Sequence, residues 1–245
     1  MKKICFHIQK GGVGKTSVTG NVAALLSMEG KRTLLVDCDP QANLTSWFCP
    51  QRPARDLAGV LRDGAAPEAA ILPLSPSLSI LPTLSAGGGL KKWAEADLAR
   101  NPRAFEFLVS DIESLGFEYV LFDCSPSLSL LERSVLACMD EIANPLSPEF
   151  FSIDGIEGFA NELGDIERAN RRKIRNDKIV VNLLNRSFSR HRAFLDELQK
   201  LKYRVFVIPQ DGKIAECQIA HRSLADFEPR AKSMPFFAEL VGALS

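Results

Sequence analysis

The sequence lacks the features that would assign it to a membrane, to an extracellular compartment or to a strongly charged partner. None of its apolar runs approaches the length of a membrane span. The run 4–8 after the first two lysines is too short for a signal peptide and already contains His7. Lys plus Arg and Asp plus Glu number 30 each, so no net field draws the chain toward nucleic acid. We therefore expect a cytoplasmic protein whose binding depends on local sites.

The cysteines show no metal-binding pattern. They form no Cys-x-x-Cys pair and no Cys/His zinc spacing. Cys5, Cys38 and Cys124 lie in or beside strand-like apolar runs, where a free cysteine behaves as a small buried hydrophobe. The full set is Cys5, Cys38, Cys49, Cys124, Cys138 and Cys217. We expect reduced thiols, as is usual in the cytosol.

Short apolar runs alternate with helical patterns along the chain. The strand-like runs are 3–8, 33–36, 78–81, 119–122, 179–184 and 204–208. Helical spacing of apolar residues covers 16–28, 104–115, 127–138, 149–170, 188–200 and 234–244. Residues 50–76 indicate surface excursions around a short helix, and the three glycines 87–89 indicate a loop. The alternation predicts an α/β fold in three layers, with a doubly wound, mostly parallel sheet and a single domain over 1–245.

A glycine-rich segment, Lys10-Gly11-Gly12-Val13-Gly14-Lys15-Thr16, lies between the first strand and the first helix. This is the context of a P-loop, whose glycines let backbone N–H groups turn toward phosphates at a helix N-terminus. Lys15 is placed to reach the β- and γ-phosphates, the Thr16 hydroxyl to ligate Mg²⁺, and Ser17 to contact the α-phosphate. Gln9 stands where the usual pattern has glycine, and Lys10 is an additional lysine. The segment predicts ATP and Mg²⁺ as ligands.

Two acidic clusters follow buried strands. Asp37-Cys38-Asp39-Pro40-Gln41 ends the second strand, and Asp123-Cys124-Ser125-Pro126 ends the run 119–122. Ligands of open α/β sheets bind at the carboxyl ends of strands, so these carboxylates are expected beside the P-loop. A single such aspartate could equally cap a helix. Two clusters in a chain that carries a P-loop favour a functional role.

These three motifs together resemble the deviant-Walker ATPases of the ParA/MinD group. The resemblance continues at 145–151 with Gly155, and at Ile208-Pro209, 213–216 and Ser223-Leu224. It covers nearly the whole chain and implies a P-loop NTPase fold with a deviant Walker A motif. It also implies an ATP hydrolase that is slow and stimulated by a partner.

The resemblance assigns Lys10 to the signature lysine. In such proteins this lysine crosses an ATP-sandwich homodimer and touches the partner's nucleotide, supplying charge in the transition state as an arginine finger would. A contact within its own subunit, or an ordinary surface lysine, is the alternative. Asp39 would orient the attacking water.

The same resemblance assigns the metal and base contacts. Asp123 would hold Mg²⁺ through water, and Asp37 would hydrogen-bond to the ligands of the ion and not to the ion itself. Asn182 and Pro209 match positions that face adenine.

The chain departs from the family pattern at two places. Ser125 stands where the third motif usually has proline, and the next strand contains Ala143-Asn144 ahead of its proline. Neither change removes a phosphate or metal group, so the motifs predict binding more directly than hydrolysis.

Cys124 and Cys138 are the nearby candidates for an iron–sulfur cluster like that of the nitrogenase iron protein. Neither has the glycine-flanked setting of such a ligand.

The last predicted helix bears on membrane binding. Its apolar stripe faces a side with Glu239 and almost no positive charge, unlike an interfacial helix. The stripe is Phe236, Phe237, Leu240, Val241 and Leu244. We expect it to pack on the domain and therefore expect no membrane partner.

Three basic groups are candidates for DNA contact. They are Arg171-Arg172-Lys173-Ile174-Arg175 with Lys178, then Arg186, Arg190, His191 and Arg192, then His221, Arg222, Arg230 and Lys232. Such runs are often only solvated helix ends, but dimerisation would double them. No helix-turn-helix is evident, and the first strand begins at residue 3, so we expect no N-terminal DNA-reading domain and no sequence preference.

These observations favour a ParA-like partition ATPase. ATP would drive homodimerisation, the dimer would bind nonspecific DNA on the nucleoid, and a ParB-like partner would trigger hydrolysis to position a plasmid, chromosome or protein cargo. A MinD-like membrane-associated placement ATPase, a nucleotide-binding scaffold with little hydrolysis, and an ATP-dependent ligase on the same fold are the alternatives.

Overall fold

One eight-stranded sheet organises the chain in the computed structural model, which describes residues 1–85, 89–149 and 154–244. The strand order is β3-β4-β2-β5-β1-β6-β7-β8, and only the β3–β4 pair is antiparallel. The strands are β1 (Lys2–Phe6), β2 (Thr33–Asp37), β3 (Leu72–Ser75), β4 (Leu78–Leu81), β5 (Tyr119–Asp123), β6 (Glu141–Leu146), β7 (Arg175–Leu184) and β8 (Arg204–Pro209).

Helices cover both faces of this sheet. They are α1 (Lys15–Met28), α2 (Asn43–Phe48), α3 (Leu57–Asp63), α4 (Gly89–Ala96), α5 (Ala104–Glu113), α6 (Leu130–Ala137), α7 (Asp154–Asn170), α8 (Ser189–Leu198), α9 (Gly212–Ile219), α10 (Leu224–Phe227) and α11 (Met234–Leu244). A 3₁₀ turn spans Pro67–Ala69. The apolar side chains of α3 to α8 form one core, and those of α1, α2 and α9 to α11 form the other. The predicted three-layer, mostly parallel α/β fold is confirmed.

The last helix packs as its apolar stripe predicts. Phe237, Leu240, Val241 and Leu244 are fully buried, and α11 lies against α1 and β8. Burial of this stripe removes from the surface the residues that an interfacial helix would insert into lipid. In the described part of the chain no helix is both long and apolar enough to cross a membrane.

Some elements differ from the sequence-based expectation. The segment 50–76 contains an edge strand, β3, whose Leu72 and Leu74 pack on the core at period two. Pro73 obscures this strand because it cannot donate a ladder hydrogen bond, which an edge strand tolerates. Gly89 begins α4 rather than continuing a loop, and residues 87–88 lie outside the described part. The helix expected over 149–170 is observed from Asp154, and 150–153 are likewise outside it.

The sheet topology brings the predicted motifs together. β2, β5 and β1 are neighbours, and Asp37 lies opposite Asp123 in the parallel register. All three strands end at the same edge, and the chain leaves β1 there through the glycine-rich loop. This edge is where a ligand is expected in an open α/β sheet.

Candidate nucleotide-binding site

A pocket of about 720 Å³ opens at the carboxyl edge of the sheet. The glycine-rich loop and the first residues of α1 form one wall, and residues after β2, after β5 and on α9 complete it. The lining residues are Gly11, Gly12, Gly14, Lys15, Thr16, Ser17, Asp39, Gln41, Asn43, Ser46, Trp47, Cys124, Pro126, Ala215, Gln218 and Ile219. The pocket therefore joins most of the predicted phosphate-binding residues to Asp39.

The loop conformation requires glycine at two places. Gly12 and Gly14 have φ of 74° and 87°, in the left-handed region. The carbonyl of Val13 between them accepts a hydrogen bond from Asn182 Nδ2 at 3.0 Å. A Cβ on Gly14 would lie 2.0 Å from that same Nδ2. Asn182 thus supports the loop from below, which sequence reasoning did not anticipate.

The two lysines of the loop have different surroundings. Lys15 is 7% exposed, and its ammonium donates to the Lys10 carbonyl at 2.6 Å. Burial lowers the pKa of Lys15. Lys10 lies at the surface, where its Nζ is 2.6 Å from Glu149 Oε2. Among the described residues it is Lys15, and not Lys10, that lines the pocket.

Asp37 and Asp39 differ in their availability to a ligand. Asp37 is fully buried, and its Oδ2 accepts from the backbone N–H (2.8 Å) and the hydroxyl (2.6 Å) of Thr45. Burial raises the pKa of Asp37 to about 7. Asp39 lines the pocket, its Oδ1 accepts the N–H of Gln41 at 2.8 Å, and burial raises its pKa as well. Asp37 therefore ties β2 to α2, while Asp39 faces the ligand space.

Asp123 is a fully buried carboxylate at the end of β5. Neither of its oxygens has a hydrogen-bond partner within the described part of the chain. Burial, followed by the negative charge of Asp37, raises the pKa of Asp123. The described residues contain no group of three or more His, Cys, Asp or Glu side chains that could hold a metal alone. Mg²⁺ suits such a site, because it takes few protein ligands and completes its shell with water and phosphate oxygens.

The two predicted adenine contacts are separate from the main pocket. Asn182 Oδ1 is buried without a hydrogen-bond partner in the described part of the chain, so it is an acceptor in need of a donor. Pro209 lines a second cavity of about 490 Å³, formed by the ends of β7 and β8 with the start of α9. Residues along both walls of this cavity include Asn185, Arg186 and Lys232.

Comparison with known proteins identifies the family. A family model described as an AAA domain matches residues 1–176. The chromosome-partitioning ATPase Soj of Thermus thermophilus is 30% identical over 94% of this chain and 89% of its own. The chain belongs to the ParA/MinD family of ATPases. An uncharacterised protein of Borreliella burgdorferi is 37% identical over 100% of this chain and 99% of its own.

A solved structure from the ParA/MinD family agrees with the fold. The septum site-determining protein MinD of Pyrococcus horikoshii, solved with Mg-ADP, superimposes with a TM-score of 0.81. The two chains are 23% identical, and the match covers 100% of this chain and 96% of the other. The members of this family are partition and positioning ATPases.

The strongest basic run of the sequence lies away from the pocket. Residues 171–174 precede β7, and Arg175 and Lys178 lie in its first half, so the run lies toward the amino edge of the sheet, opposite the pocket. Four of its five basic side chains pair with acids, and Lys178 is fully buried. The pairs are Arg172 with Asp140, Lys173 with Glu167 at 2.7 Å, Arg175 with Asp177 at 3.0 Å and Lys178 with Glu141 at 2.5 Å. The run appeared basic in sequence because its acidic partners come from other elements.

Three site residues were not identified from the sequence. Gln218 Nε2 donates to Ser17 Oγ at 2.8 Å across 201 positions, and Trp47 lines the pocket against Gly20, contacts with no local signal. Glu132 did have one, because Ser129-x-x-Glu132 is a capping box at the start of α6. Its Oε1 also accepts the Ser125 hydroxyl at 2.6 Å, which holds the loop after Asp123.

Proposed function

We propose that this chain is a ParA-type partition switch driven by ATP. ATP with Mg²⁺ occupies the pocket, two copies close over their nucleotides, and the dimer binds DNA without sequence preference. A ParB-like partner stimulates slow hydrolysis, which releases the dimer and lets it cycle. The proposal rests on family membership and on the position of Lys10.

The position of Lys10 carries the dimer step. A loop lysine that served only its own nucleotide would be expected in the pocket beside Lys15. Lys10 instead pairs with Glu149 at the surface, with 30% of its side chain exposed. Ile219, 81% exposed, adds an apolar side chain at the rim of the same pocket. A second copy placed over this rim would cover Ile219 and bring its nucleotide to Lys10.

The nucleotide and metal assignments use the residues of the glycine-rich loop and the buried polar atoms beside it. The main-chain amides of 11–14, Lys15 and the Ser17 hydroxyl would hold phosphates, while Thr16 and Asp123 would hold Mg²⁺. When bound, Mg²⁺ would neutralise phosphate charge and supply the cation that Asp123 lacks. Asn182 Oδ1 would accept from the exocyclic amino group of adenine, with the base against Pro209. Asp39, at the pocket wall, would orient the water.

The DNA surface we propose lies at the carboxyl edge. Arg186 and Lys232 line one cavity, Arg190 and Arg192 lie on α8, and Arg230 precedes Lys232 by two residues; all five are exposed. Arg192 donates to the Arg186 carbonyl at 2.7 Å, which holds these two arginines side by side. A dimer formed over this edge would present two such patches to phosphates.

The first experiment measures the mass in solution with and without ATP. The wild type is expected to become a dimer only with ATP and Mg²⁺. Lys15→Ala should neither bind nucleotide nor dimerise, and Lys10→Ala should bind as a monomer. Normal ATP turnover and dimerisation by Lys10→Ala would overturn the trans-lysine step.

The second experiment measures binding to a random duplex over a range of salt. Arg186→Ala with Arg190→Ala should lower the salt slope by about 3.6, since each of four lost phosphate contacts in the dimer accounts for about 0.9. The matched control, Arg171→Ala with Lys173→Ala, removes the same charge at the opposite edge and should bind like the wild type. Equal loss in both variants, or retention of the ATP form by liposomes and not by DNA, would refute the assignment.

A further inference from the structure

Three cysteines cluster beneath the nucleotide pocket. Cys5 lies in β1, Cys38 follows β2 and Cys124 follows β5, and β5 lies between the other two strands in the sheet. The Cys5 and Cys124 sulfurs are 3.9 Å apart. The Cys38 N–H donates to the Asp123 carbonyl at 2.8 Å, and because Asp37 lies opposite Asp123 in the parallel register, Cys38 follows at the level of Cys124. Cys124 thus has a thiol neighbour on each side.

Cys124 differs from the other two in its access to the pocket. All three are at most 1% exposed, but only Cys124 among them lines the pocket. A small oxidant that enters the empty pocket would meet Cys124, and a bound nucleotide would cover it. Cys5 and Cys38 would then be reached only through Cys124.

We propose that Cys124 is an oxidant-sensitive thiol that forms a disulfide with Cys5 or Cys38 and thereby closes the site to nucleotide. The Cys124 sulfur attacks hydrogen peroxide, the O–O bond breaks, hydroxide leaves and a sulfenic acid forms. A neighbouring thiol attacks that sulfur, the S–O bond breaks and water leaves with the thiol proton. Two thiols lose two electrons, and one peroxide becomes two waters.

The structural consequence falls on the loop after β5. Sulfurs 3.9 Å apart must approach to about 2.05 Å, so the cysteine side chains must change torsion, and the backbone of the less restrained cysteine is expected to follow. Cys5 lies inside a central strand, whereas Cys124 lies beyond the last residue of β5, so the loop moves. This loop begins directly after Asp123 and carries Pro126, so its displacement would disturb both the proposed Mg²⁺ ligand and the pocket wall. The effect on nucleotide rests on the proposed function; the disulfide itself does not.

The test treats the reduced full-length chain with hydrogen peroxide, blocks remaining thiols with iodoacetamide and maps peptides without reduction. Cys124 linked to Cys5 or to Cys38, with a loss of about 2 Da, is expected. Binding of a fluorescent ATP analogue should fall at least about tenfold and return with dithiothreitol. Prior loading with Mg-ADP at 100 times its Kd should slow the linkage about 100-fold, because about 1% of the sites are then empty.

Two variants sharpen the result. Cys49→Ser removes a half-buried thiol outside the cluster and should oxidise and lose binding like the wild type, whereas Cys124→Ser should form no disulfide. Absence of a Cys124 disulfide in the wild type, linkage without loss of binding, or oxidation that Mg-ADP does not slow would overturn the proposal. If Cys124→Ser fails to fold, peptide mapping of the oxidised wild type still shows whether the disulfide forms. If the reduced chain binds no nucleotide, the proposed function fails while mapping still judges the disulfide.

Discussion

The ion pair between Lys10 and Glu149 provides a quantitative test of the dimer switch. If Lys10 crosses to the nucleotide of a second copy, it must first leave Glu149 Oε2, 2.6 Å from its Nζ. The side chains are 30% and 64% exposed, so the pair is solvated and contributes about 0–1 kcal/mol. Glu149→Gln removes this competing partner. With two symmetric contacts in the dimer, its dissociation constant should fall by up to about 25-fold.

The measurement is sedimentation velocity with a nonhydrolysable ATP analogue, because hydrolysis would otherwise dissolve the dimer. Glu197→Gln is the matched control. It breaks the exposed Lys200–Glu197 pair, also 2.6 Å long, and changes the net charge equally. A general gain from removing negative charge would appear in both variants, whereas release of Lys10 would appear in Glu149→Gln alone.

A double-mutant cycle separates the pair from other effects of Glu149. In the Lys10→Ala background, Glu149→Gln has no lysine to release and should leave the protein monomeric with the analogue. Recovery of dimerisation in that background would mean that Glu149 acts through space on the second copy. Unchanged or weaker dimerisation in Glu149→Gln alone would refute the reasoning.

Three further outcomes are expected. Gly14→Ala should weaken ATP binding by about 2–3 kcal/mol in calorimetry, because its methyl would lie 2.0 Å from Asn182 Nδ2 at a φ of 87°; unchanged affinity would contradict this. Burial lowers the pKa of His7 to about 3 from 6.5, so below pH 6.5 the unfolded chain binds a proton that the native chain does not. As the pH is lowered below 6.5, this group should therefore reduce the free energy of unfolding by up to about 1.4 kcal/mol per pH unit. Urea titrations at several pH values should show a smaller decrease of that free energy in His7→Leu than in the wild type. Lys178→Met should destabilise the fold by about 3 kcal/mol, because the buried Glu141 loses its 2.5 Å partner and keeps the partly exposed Lys2 at 3.1 Å and Arg175 at 3.8 Å; adding Glu141→Leu should recover most of that loss in the same titrations.

The local motifs could be predicted because each acts through its own backbone. A P-loop needs glycines at positive φ between a strand and a helix, and those residues are contiguous in sequence. The aspartates at strand ends were likewise readable, since parallel strands end at one edge. The different roles of Asp37 and Asp39 could not be predicted from the sequence. Asp37 and Asp39 are two residues apart, yet the bonds from Thr45 bury one and leave the other at the pocket.

Contacts between distant residues limited the rest. Asn182 lies 169 positions from the carbonyl that it supports, and no pattern near either residue announces the bond. Lys10 faces a similar limit, because a signature lysine can be recognised from sequence but its partner Glu149 cannot. The edge strand β3 was missed for a different reason: four residues with a proline give too short a period-two signal.

The basic runs suggest how such charge patterns can be weighed without a structure. A run that precedes a strand of a parallel sheet lies at the amino edge, where loops only connect elements, while a run that follows the strand lies with the ligand. Arg172 and Lys173 precede β7 and pair with Asp140 and Glu167, whereas Arg186 and Arg190 follow it and line the cavities of the carboxyl edge. Strand order along the chain was already visible in the alternation of apolar runs. Sorting each basic group by the strand end that it borders places the longer first group at the amino edge and the second group at the carboxyl edge, beside the DNA surface that we propose.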